Sequence, residues 1–219
     1  MSNLTGWSKI EHAKVVRELI KPGSYVNLGI GMPGLISSLI AEEDGIYLHC
    51  ENGLIGYRDL RVGEPKNSHI IDAASKPVAL IPGASVVAHD ISFAIARGGR
   101  LDATILGAYQ VDSEGSFANW KTPESKIAGV GGAMDLAVGA KQVIIMMKHL
   151  GKHGEPKILE RCTYSLTAYK VVKYVVTEFA CLEVREGAFF VQRLAPGISE
   201  EDLQSMTEAK LKFHQTINK

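Results

Sequence analysis

Short runs of apolar residues alternate along the chain with stretches in which apolar residues recur at helical spacing. Most of the runs are continuous, which is typical of strands in a parallel sheet that is buried on both faces. Strands are therefore predicted at residues 25–30, 46–50, 77–81, 102–108, 141–149, 171–184 and 188–194. Because helices are predicted between many of them, the pattern favours an α/β fold.

The first predicted helix begins at Ser8, which forms a capping-box pattern with Glu11, and ends at Pro22-Gly23. We expect its apolar side to consist of Ile10, Ala13, Val16 and Ile20. Three further helices are predicted: a short one that opens at Pro33 within residues 31–41, one that ends near Arg97, and one over residues 200–213 that is capped by Ser199.

Turn and loop signals mark the remaining boundaries. Pro82-Gly83 predicts a turn between a strand and the helix that ends near Arg97, and the polar residues 57–69 predict a loop. Glu186-Gly187 separates the last two predicted strands. No linker, repeat or low-complexity tract interrupts the chain, so a single domain over residues 1–219 is expected. Its fold class is α/β, with an open, mostly parallel sheet flanked by helices.

Composition and charge exclude some classes of protein. The chain has 219 residues, with 24 Lys and Arg against 24 Asp and Glu, so its net charge is zero. A general nucleic-acid-binding protein would need a basic field, which this balance does not supply. The three cysteines lie far apart and form no C-x-x-C motif, which indicates a reducing compartment. With no apolar signal core and no run long enough to span a bilayer, we expect a cytoplasmic protein.

The sequence GIGMPG at residues 29–34 is the first candidate for chemistry. It matches G-x-G-x-x-G, follows a predicted strand and opens a predicted helix, and Glu51 lies 22 positions after Gly29. This is the context of a dinucleotide-binding loop, in which the acid holds the ribose. Pro33 counts against it, because a proline removes one backbone N–H from a loop meant to bind pyrophosphate. A nucleotide (NAD)-binding oxidoreductase stays an alternative.

Glu51 is the second candidate, as a nucleophile. It ends an apolar strand and precedes Asn52-Gly53, a strong turn signal, at the carboxyl edge where open α/β sheets bind ligands. A carboxylate is ordinarily ionised at neutral pH and attacks without a general base, which suits acyl transfer from a thioester. This chemistry needs backbone N–H donors at the developing oxyanion. The glycine-rich turns at residues 29–34 and 129–132 are candidates to supply them.

Several separate motifs, in order, carry a family resemblance over nearly the whole chain. They include VNLGIGMP (26–33), ENG (51–53), LIPGAS (80–85), LGAYQVD (106–112), GVGGAMDL (129–136), GAKQVII (139–145) and ILERCT (158–163). Together they resemble the β subunit of the family I 3-oxoacid CoA-transferases. The resemblance implies an open α/β fold shared with certain sugar-phosphate isomerases.

The resemblance also implies an activity and its site. Glu51 would form a glutamyl-CoA thioester, and Gly132 or its neighbours would offer a backbone donor to the carbonyl oxygen. It implies that Asn27 hydrogen-bonds the pantetheine arm. Further residues implied to contact CoA or substrate are Gly29, Gly31, Asn52, Gly53 and Gly131. Coenzyme A would be a substrate, with no tightly bound cofactor. The CoA-transferase α subunit, on a separate chain, would complete a hetero-oligomer, with no nucleic-acid or membrane partner.

The chain departs from the family pattern next to the motif ENG. Cys50 stands where serine is common, and strand alternation makes it a buried apolar residue rather than a reactive thiol. Residues 56–65 replace a glycine- and proline-rich stretch, so Arg58 or Arg61 is expected to tune selection of a polar or charged short acyl group. His149 and His153 lack a nearby third ligand, and no metal site is expected. A second alternative is a non-catalytic chain that only binds acyl-CoA.

Overall fold

A sheet of ten strands runs through the structure. The computed structural model describes residues 5–124 and 129–213. Its thirteen strands are β1 (Tyr25–Leu28), β2 (Tyr47–His49), β3 (Leu54–Asp59), β4 (Val78–Val86), β5 (Ala103–Leu106), β6 (Gln110–Asp112), β7 (Phe117–Ala118), β8 (Val143–Met146), β9 (Ile158–Leu159), β10 (Val172–Val176), β11 (Ala180–Arg185), β12 (Ala188–Leu194) and β13 (Leu211–Phe213). The large sheet has the order β13-β12-β11-β10-β8-β5-β1-β2-β3-β4, and β7-β6-β9 form a second, small sheet.

The centre of the large sheet is parallel and its flanks are mixed. Strands β2, β1, β5, β8 and β10 pair in parallel, whereas β2–β3, β3–β4, β10–β11 and β11–β12 are antiparallel. Strand β13 then adds to β12 in parallel. The predicted open, mostly parallel α/β sheet is therefore confirmed at its centre, where the carboxyl ends of β1, β2 and β5 meet at one edge.

Four α-helices flank the sheet: α1 (Lys9–Glu18), α2 (His89–Arg97), α3 (Ala133–Gly139) and α4 (Glu200–Ser205). The predicted capping box at Ser8 is confirmed by hydrogen bonds between Ser8 and Glu11 in both directions. Ile10 was wrongly assigned to the apolar side of α1, because it is 47% exposed and His12 is buried instead. The helix predicted to open at Pro33 is a 3₁₀ helix, Met32–Leu39, and a shorter one follows at Glu42–Asp44.

Side chains alternate between two apolar layers on either side of the large sheet. On β8, Val143 and Ile145 pack on one face while Ile144 and Met146 pack on the other. Helix α1 and the longer 3₁₀ helix cover the second face, and α2, α3 and the small sheet cover the first. Both faces of the central strands are buried, which explains their continuous apolar sequence.

Two turn predictions were wrong because pairing partners override local signals. Strand β4 does not end at Pro82-Gly83: its partner in β3 jumps from Leu80 to Ser85 across Gly56, so residues 81–84 form a bulge. Strand β4 is an edge strand, where a proline costs no ladder hydrogen bond. The predicted loop at residues 57–69 begins later than expected, since β3 continues to Asp59.

Two predictions near the carboxyl end of the chain also needed correction. The strand predicted at residues 171–184 is two antiparallel strands, β10 and β11. The predicted helix at residues 200–213 ends at Ser205, and Leu211–Phe213 form β13 against β12. The side chain of Gln204 fixes this reversal by accepting from the Leu211 N–H and donating to the Ala209 carbonyl. Among the described residues, no helix is long and apolar enough to cross a membrane.

Candidate active site

Glu51 lies in the tight turn that joins β2 to β3. The Gly53 N–H donates to the Cys50 carbonyl at 2.9 Å, and the Gly53 carbonyl accepts from the Val87 N–H at 2.9 Å. Gly53 has φ +115°, a conformation that L side chains rarely adopt, and a Cβ there would collide with the Val87 carbonyl oxygen. The turn predicted from Asn-Gly is confirmed, and its backbone is held from both sides.

The loop before β4 holds the outside of this turn. Asn52 donates its side-chain N–H to the Ile71 carbonyl at 2.8 Å, and the Ala73 N–H donates to Cys50 Sγ at 2.9 Å. Cys50 is buried, and burial raises the pKa of its thiol to about 11. The expectation that Cys50 is a buried apolar residue, not a reactive thiolate, agrees with this position.

Glu51 projects into a cavity of about 540 Å³ at the carboxyl ends of β1, β2 and β5. The cavity walls come from the end of β1, the segment after β5, and the glycine-rich turn before α3. The lining includes Asn27, Leu28, Gly29, Ile30, Glu51, Leu106, Gly107, Tyr109, Asn119, Trp120, Gly129, Val130, Gly131, Gly132 and Lys157. This is the position in which open α/β sheets hold ligands.

The Glu51 carboxylate lies against the backbone of Gly132. A Cβ built at Gly132 would collide with Glu51 Oε2 and would lie 2.7 Å from Cζ of Phe93. Phe93 belongs to α2, which is joined to α3 by the ion pair of Arg97 with Asp135, at 2.7 Å and 3.1 Å. Glycine is therefore required at 132 for the carboxylate to occupy this place.

Comparisons with known proteins identify the family. The model of the coenzyme A transferase family matches residues 9–204 of the chain. The chain belongs to the coenzyme A transferase family.

Named relatives in this family differ in their acids. The chain is 40% identical over 205 residues to the β-type subunit of the 3-oxoadipate CoA-transferase of Pseudomonas putida, covering 93% of this chain and 96% of the relative. It is 37% identical over 206 residues to the β subunit of the acetate CoA-transferase of Escherichia coli, covering 94% of each. Each of these relatives is thus named as one subunit of an enzyme.

A solved structure shares the fold. An acyl-CoA transferase from Escherichia coli O157:H7 superposes with a TM-score of 0.76 at 18% sequence identity. The superposition covers 98% of this chain but only 43% of the longer one. At this identity the match confirms the α/β fold predicted from the sequence.

Five of the residues predicted for the CoA-transferase site line the cavity together. They are Asn27, Gly29, Glu51, Gly131 and Gly132. Gly31 lines a neighbouring cavity of about 210 Å³. Asn52 and Gly53 line neither of these two cavities and instead build the turn that carries Glu51. Their predicted contact with CoA stays a prediction.

Two of the predicted binding groups are already engaged within the chain. The Gly29 N–H donates to the Ile105 carbonyl at 2.8 Å, so Gly29 has no free N–H for an oxyanion. Asn27 is 2% exposed and directs its side-chain N–H groups to His49. A pantetheine contact at Asn27 stays a prediction, and of its side chain only Oδ1 retains capacity for one.

The dinucleotide interpretation of residues 29–34 is not supported. The loop opens a 3₁₀ helix with Pro33 in its first turn, not an α-helix with a full set of free N–H groups. Glu51 is followed by the antiparallel strand β3 rather than by a crossover helix. The geometry around Glu51 matches the acyl-transfer interpretation instead.

The expectation for Arg58 and Arg61 is also not supported. Arg58 forms a two-bonded ion pair with Glu64, at 2.8 Å and 2.7 Å, and Arg61 pairs with Glu42 at 2.5 Å. Neither arginine lines the Glu51 cavity. The cation in this lining is Lys157, which the sequence analysis missed because only the tertiary structure brings residue 157 next to β5.

The two histidines at positions 149 and 153 have different environments. His149 is buried and hydrogen-bonded to Thr177 and Thr207, both at 3.0 Å, whereas His153 is exposed. Within residues 5–124 and 129–213, no group of three or more His, Cys, Asp and Glu is arranged to hold a metal ion.

Replacing Gly53 with alanine should destabilise the fold. The new Cβ meets the Val87 carbonyl in a backbone conformation unfavourable for L residues, so Gly53→Ala is expected to cost about 2–4 kcal/mol in the free energy of unfolding. Gly63→Ala is the matched control, because Gly63 has φ +85° but no atom within 4 Å of a Cβ. The control should cost only about 1–2 kcal/mol. Urea unfolding of both variants measures the difference, and equal losses would contradict the collision.

Replacing Gly132 with alanine should abolish most CoA transfer. Its Cβ displaces the Glu51 carboxylate, and a displacement of about 1 Å costs on the order of 100-fold in rate. The double variant Gly132→Ala, Phe93→Leu relieves the ring contact and should regain stability without regaining rate. Thermal unfolding and CoA-transfer assays compare the two, and recovery of rate in the double variant would show that the ring, not Glu51, is displaced.

Proposed function

We propose that this chain is the β subunit of a cytoplasmic CoA-transferase that moves CoA between a short-chain acyl-CoA and a carboxylic acid. Glu51 is the nucleophile, and the reaction follows ping-pong kinetics through a glutamyl-CoA thioester. The observation that carries the proposal is the Glu51 carboxylate against Gly132, in the wall of a cavity at the carboxyl edge of the sheet, in a chain of the coenzyme A transferase family.

The first half-reaction proceeds in two acyl transfers. The Glu51 carboxylate attacks the thioester carbonyl of acyl-CoA, the C–S bond breaks, and CoA leaves as a thiolate, which yields a mixed anhydride. The thiolate then attacks the Glu51 carbonyl of this anhydride and expels the donor acid as a carboxylate. Glu51 now carries CoA as a thioester.

The second half-reaction reverses these steps with a different acid. The incoming carboxylate attacks the glutamyl thioester, CoA thiolate leaves, and the thiolate attacks the acyl carbonyl of the new anhydride. Acyl-CoA is released and the Glu51 carboxylate is regenerated. No proton or electron has to be supplied from outside, which fits the proposal that CoA is a substrate and that no cofactor is tightly bound.

A backbone N–H near Gly132 stabilises the developing oxyanion in this proposal. The glycine-rich turn lines the cavity beside the Glu51 carboxylate, which is the position such a donor requires. Gly131 has φ +64°, so this turn depends on glycine at that position for its backbone direction as well as for space.

The CoA-transferase α subunit, on a separate chain, covers the mouth of the cavity. Ile30 and Val130 line the cavity, yet they are 65% and 39% exposed in this chain alone. Large apolar side chains at the rim of a site are typical of a surface that a partner covers. The relatives are each named as a β-type subunit, which supports a hetero-oligomer of this kind.

Lys157 binds the carboxylate of the substrate acid from the wall of the cavity. Apart from Glu51, it is the charged residue among those that line this cavity. Burial lowers the pKa of its ammonium group to about 8. A cation in partly desolvated surroundings attracts carboxylates strongly, so acids with a second polar or anionic group are favoured.

Trapping the thioester tests the role of Glu51. The chain assembled with its partner is incubated with acetyl-CoA or succinyl-CoA and then with borohydride, which reduces a glutamyl thioester to an alcohol. Peptide mass spectrometry should find this change at Glu51, and Glu51→Ala should lose activity. The exposed Glu43 provides the matched control, because Glu43→Ala removes an acid outside the cavity. Full activity of Glu51→Ala would refute the mechanism. Acyl-CoA binding without trapping would favour a non-catalytic role, and NADH binding without CoA transfer would favour the oxidoreductase.

The pH dependence of acid binding tests Lys157. Because the pKa of Lys157 is lowered to about 8, its cation is present below pH 8 and is lost as the pH rises. The KM for the acid is therefore expected to rise about tenfold between pH 7 and 9, one unit to either side of this pKa. Lys157→Met should show a high KM with no such rise. A KM rise of the same size in Lys157→Met would assign the titration to another group.

A further inference from the structure

A row of buried polar side chains crosses the centre of the large sheet. Thr104 on β5, Asn27 on β1 and His49 on β2 are direct neighbours in the parallel register. Their exposed fractions are 0%, 2% and 1%. Buried polar groups in an apolar sheet lower stability unless they are hydrogen-bonded to one another, so their partners identify their role.

The hydrogen bonds of this row have one consistent direction. Asn27 Nδ2 lies 3.2 Å from both Nδ1 and the carbonyl oxygen of His49. The carbonyl only accepts, so the nitrogen of the Asn27 amide faces His49 and Nδ1 accepts as well. Thr104 donates its hydroxyl to Asn27 Oδ1 at 3.1 Å. Nε2 of His49 therefore carries the proton and donates to Ser92 Oγ at 2.9 Å.

The row ends at the residue that precedes Glu51. Ser92 lies on α2, is fully buried, and donates its hydroxyl to the Cys50 carbonyl at 3.2 Å. The same carbonyl accepts the Gly53 N–H that closes the turn. Four side chains from three strands and a helix are thus connected to the backbone from which Glu51 projects.

The protonation state of His49 matches this arrangement. Burial lowers the pKa of His49 to about 4, so the ring is neutral at neutral pH. A neutral imidazole has one donor and one acceptor, which are the two groups that Ser92 and Asn27 require. His49 does not line the Glu51 cavity, and it therefore has no direct contact with substrate there.

We propose that His49 is a positioning residue for Glu51: through Ser92 it holds the Cys50 carbonyl and so sets the direction in which the Glu51 side chain leaves the turn. The inference rests on the proposed role of Glu51 as the nucleophile. The carboxylate has no free space on the side of Gly132, so a small rotation of the Cys50–Glu51 peptide moves it out of place. A displacement of about 1 Å costs on the order of 100-fold in rate.

Substitutions along the row test this proposal in the assembled enzyme. His49→Leu is expected to lower the rate constant of thioester formation about 100-fold while the KM for acyl-CoA changes less than about threefold. His49→Gln retains a donor for Ser92 and should recover about tenfold of that loss. Ser92→Ala should also slow the step, and the double variant should be no slower than His49→Leu, because both changes break one connection. The measurement is rapid-quench kinetics with acetyl-CoA or succinyl-CoA, whichever the wild type uses faster.

His149→Leu is the matched control for the loss of a buried histidine. His149 is 0% exposed and bonded to two threonines, but it does not line the cavity. It should lose comparable stability and keep the wild-type rate per folded molecule. A rate loss in His49→Leu no larger than in His149→Leu would overturn the proposal and leave the row a purely structural feature. Absence of a trapped thioester in the wild type would instead refute the role of Glu51.

Discussion

The contact of the Glu51 carboxylate with the backbone of Gly132 is the constraint on which the rest of the site depends. It requires a turn that brings an acid to the end of β2, a glycine at the start of α3, and packing that holds the two elements together. Helix α2 supplies that packing, because Phe93 lies against Gly132 and Arg97 pairs with Asp135 of α3. Each of these features is needed only because a side chain atom of residue 51 occupies the space that a Cβ of residue 132 would fill.

The sheet fixes the other end of the same geometry. Its parallel centre brings the carboxyl ends of β1, β2 and β5 to one edge, where the cavity lies. The strands that border this edge carry Asn27, His49 and Thr104 in a buried row that ends at the Cys50 carbonyl. The polar row interrupts an otherwise apolar layer, so stability alone does not account for it. In the proposed function, the row and the glycine contact orient one nucleophile from two sides.

Much of the site could be predicted from the sequence, because its signals are local. An acid at a strand end before Asn-Gly, and a glycine-rich turn before a helix, identify Glu51 and Gly132 without knowledge of their distance. Local signals failed where pairing partners decide the structure. Pro82-Gly83 became a bulge because β4 is an edge strand, and residues 211–213 left the predicted helix because β12 offered an unpaired edge. Arg58 and Arg61 lie near Glu51 in sequence, but their ion pairs hold them away from its cavity.

By itself the sequence determined the α/β class, the nucleophile, the glycine turns and the family, since each depends on residue type and spacing along the chain. Only the tertiary structure decided which cation shares the cavity with Glu51 and which polar groups support it. Lys157 reaches the cavity from a segment more than 100 positions away, and Thr104, Asn27 and His49 become neighbours only in the register of three strands. Such contacts join residues that are distant in the chain, and no local pattern of hydrophobic and polar positions encodes their distance.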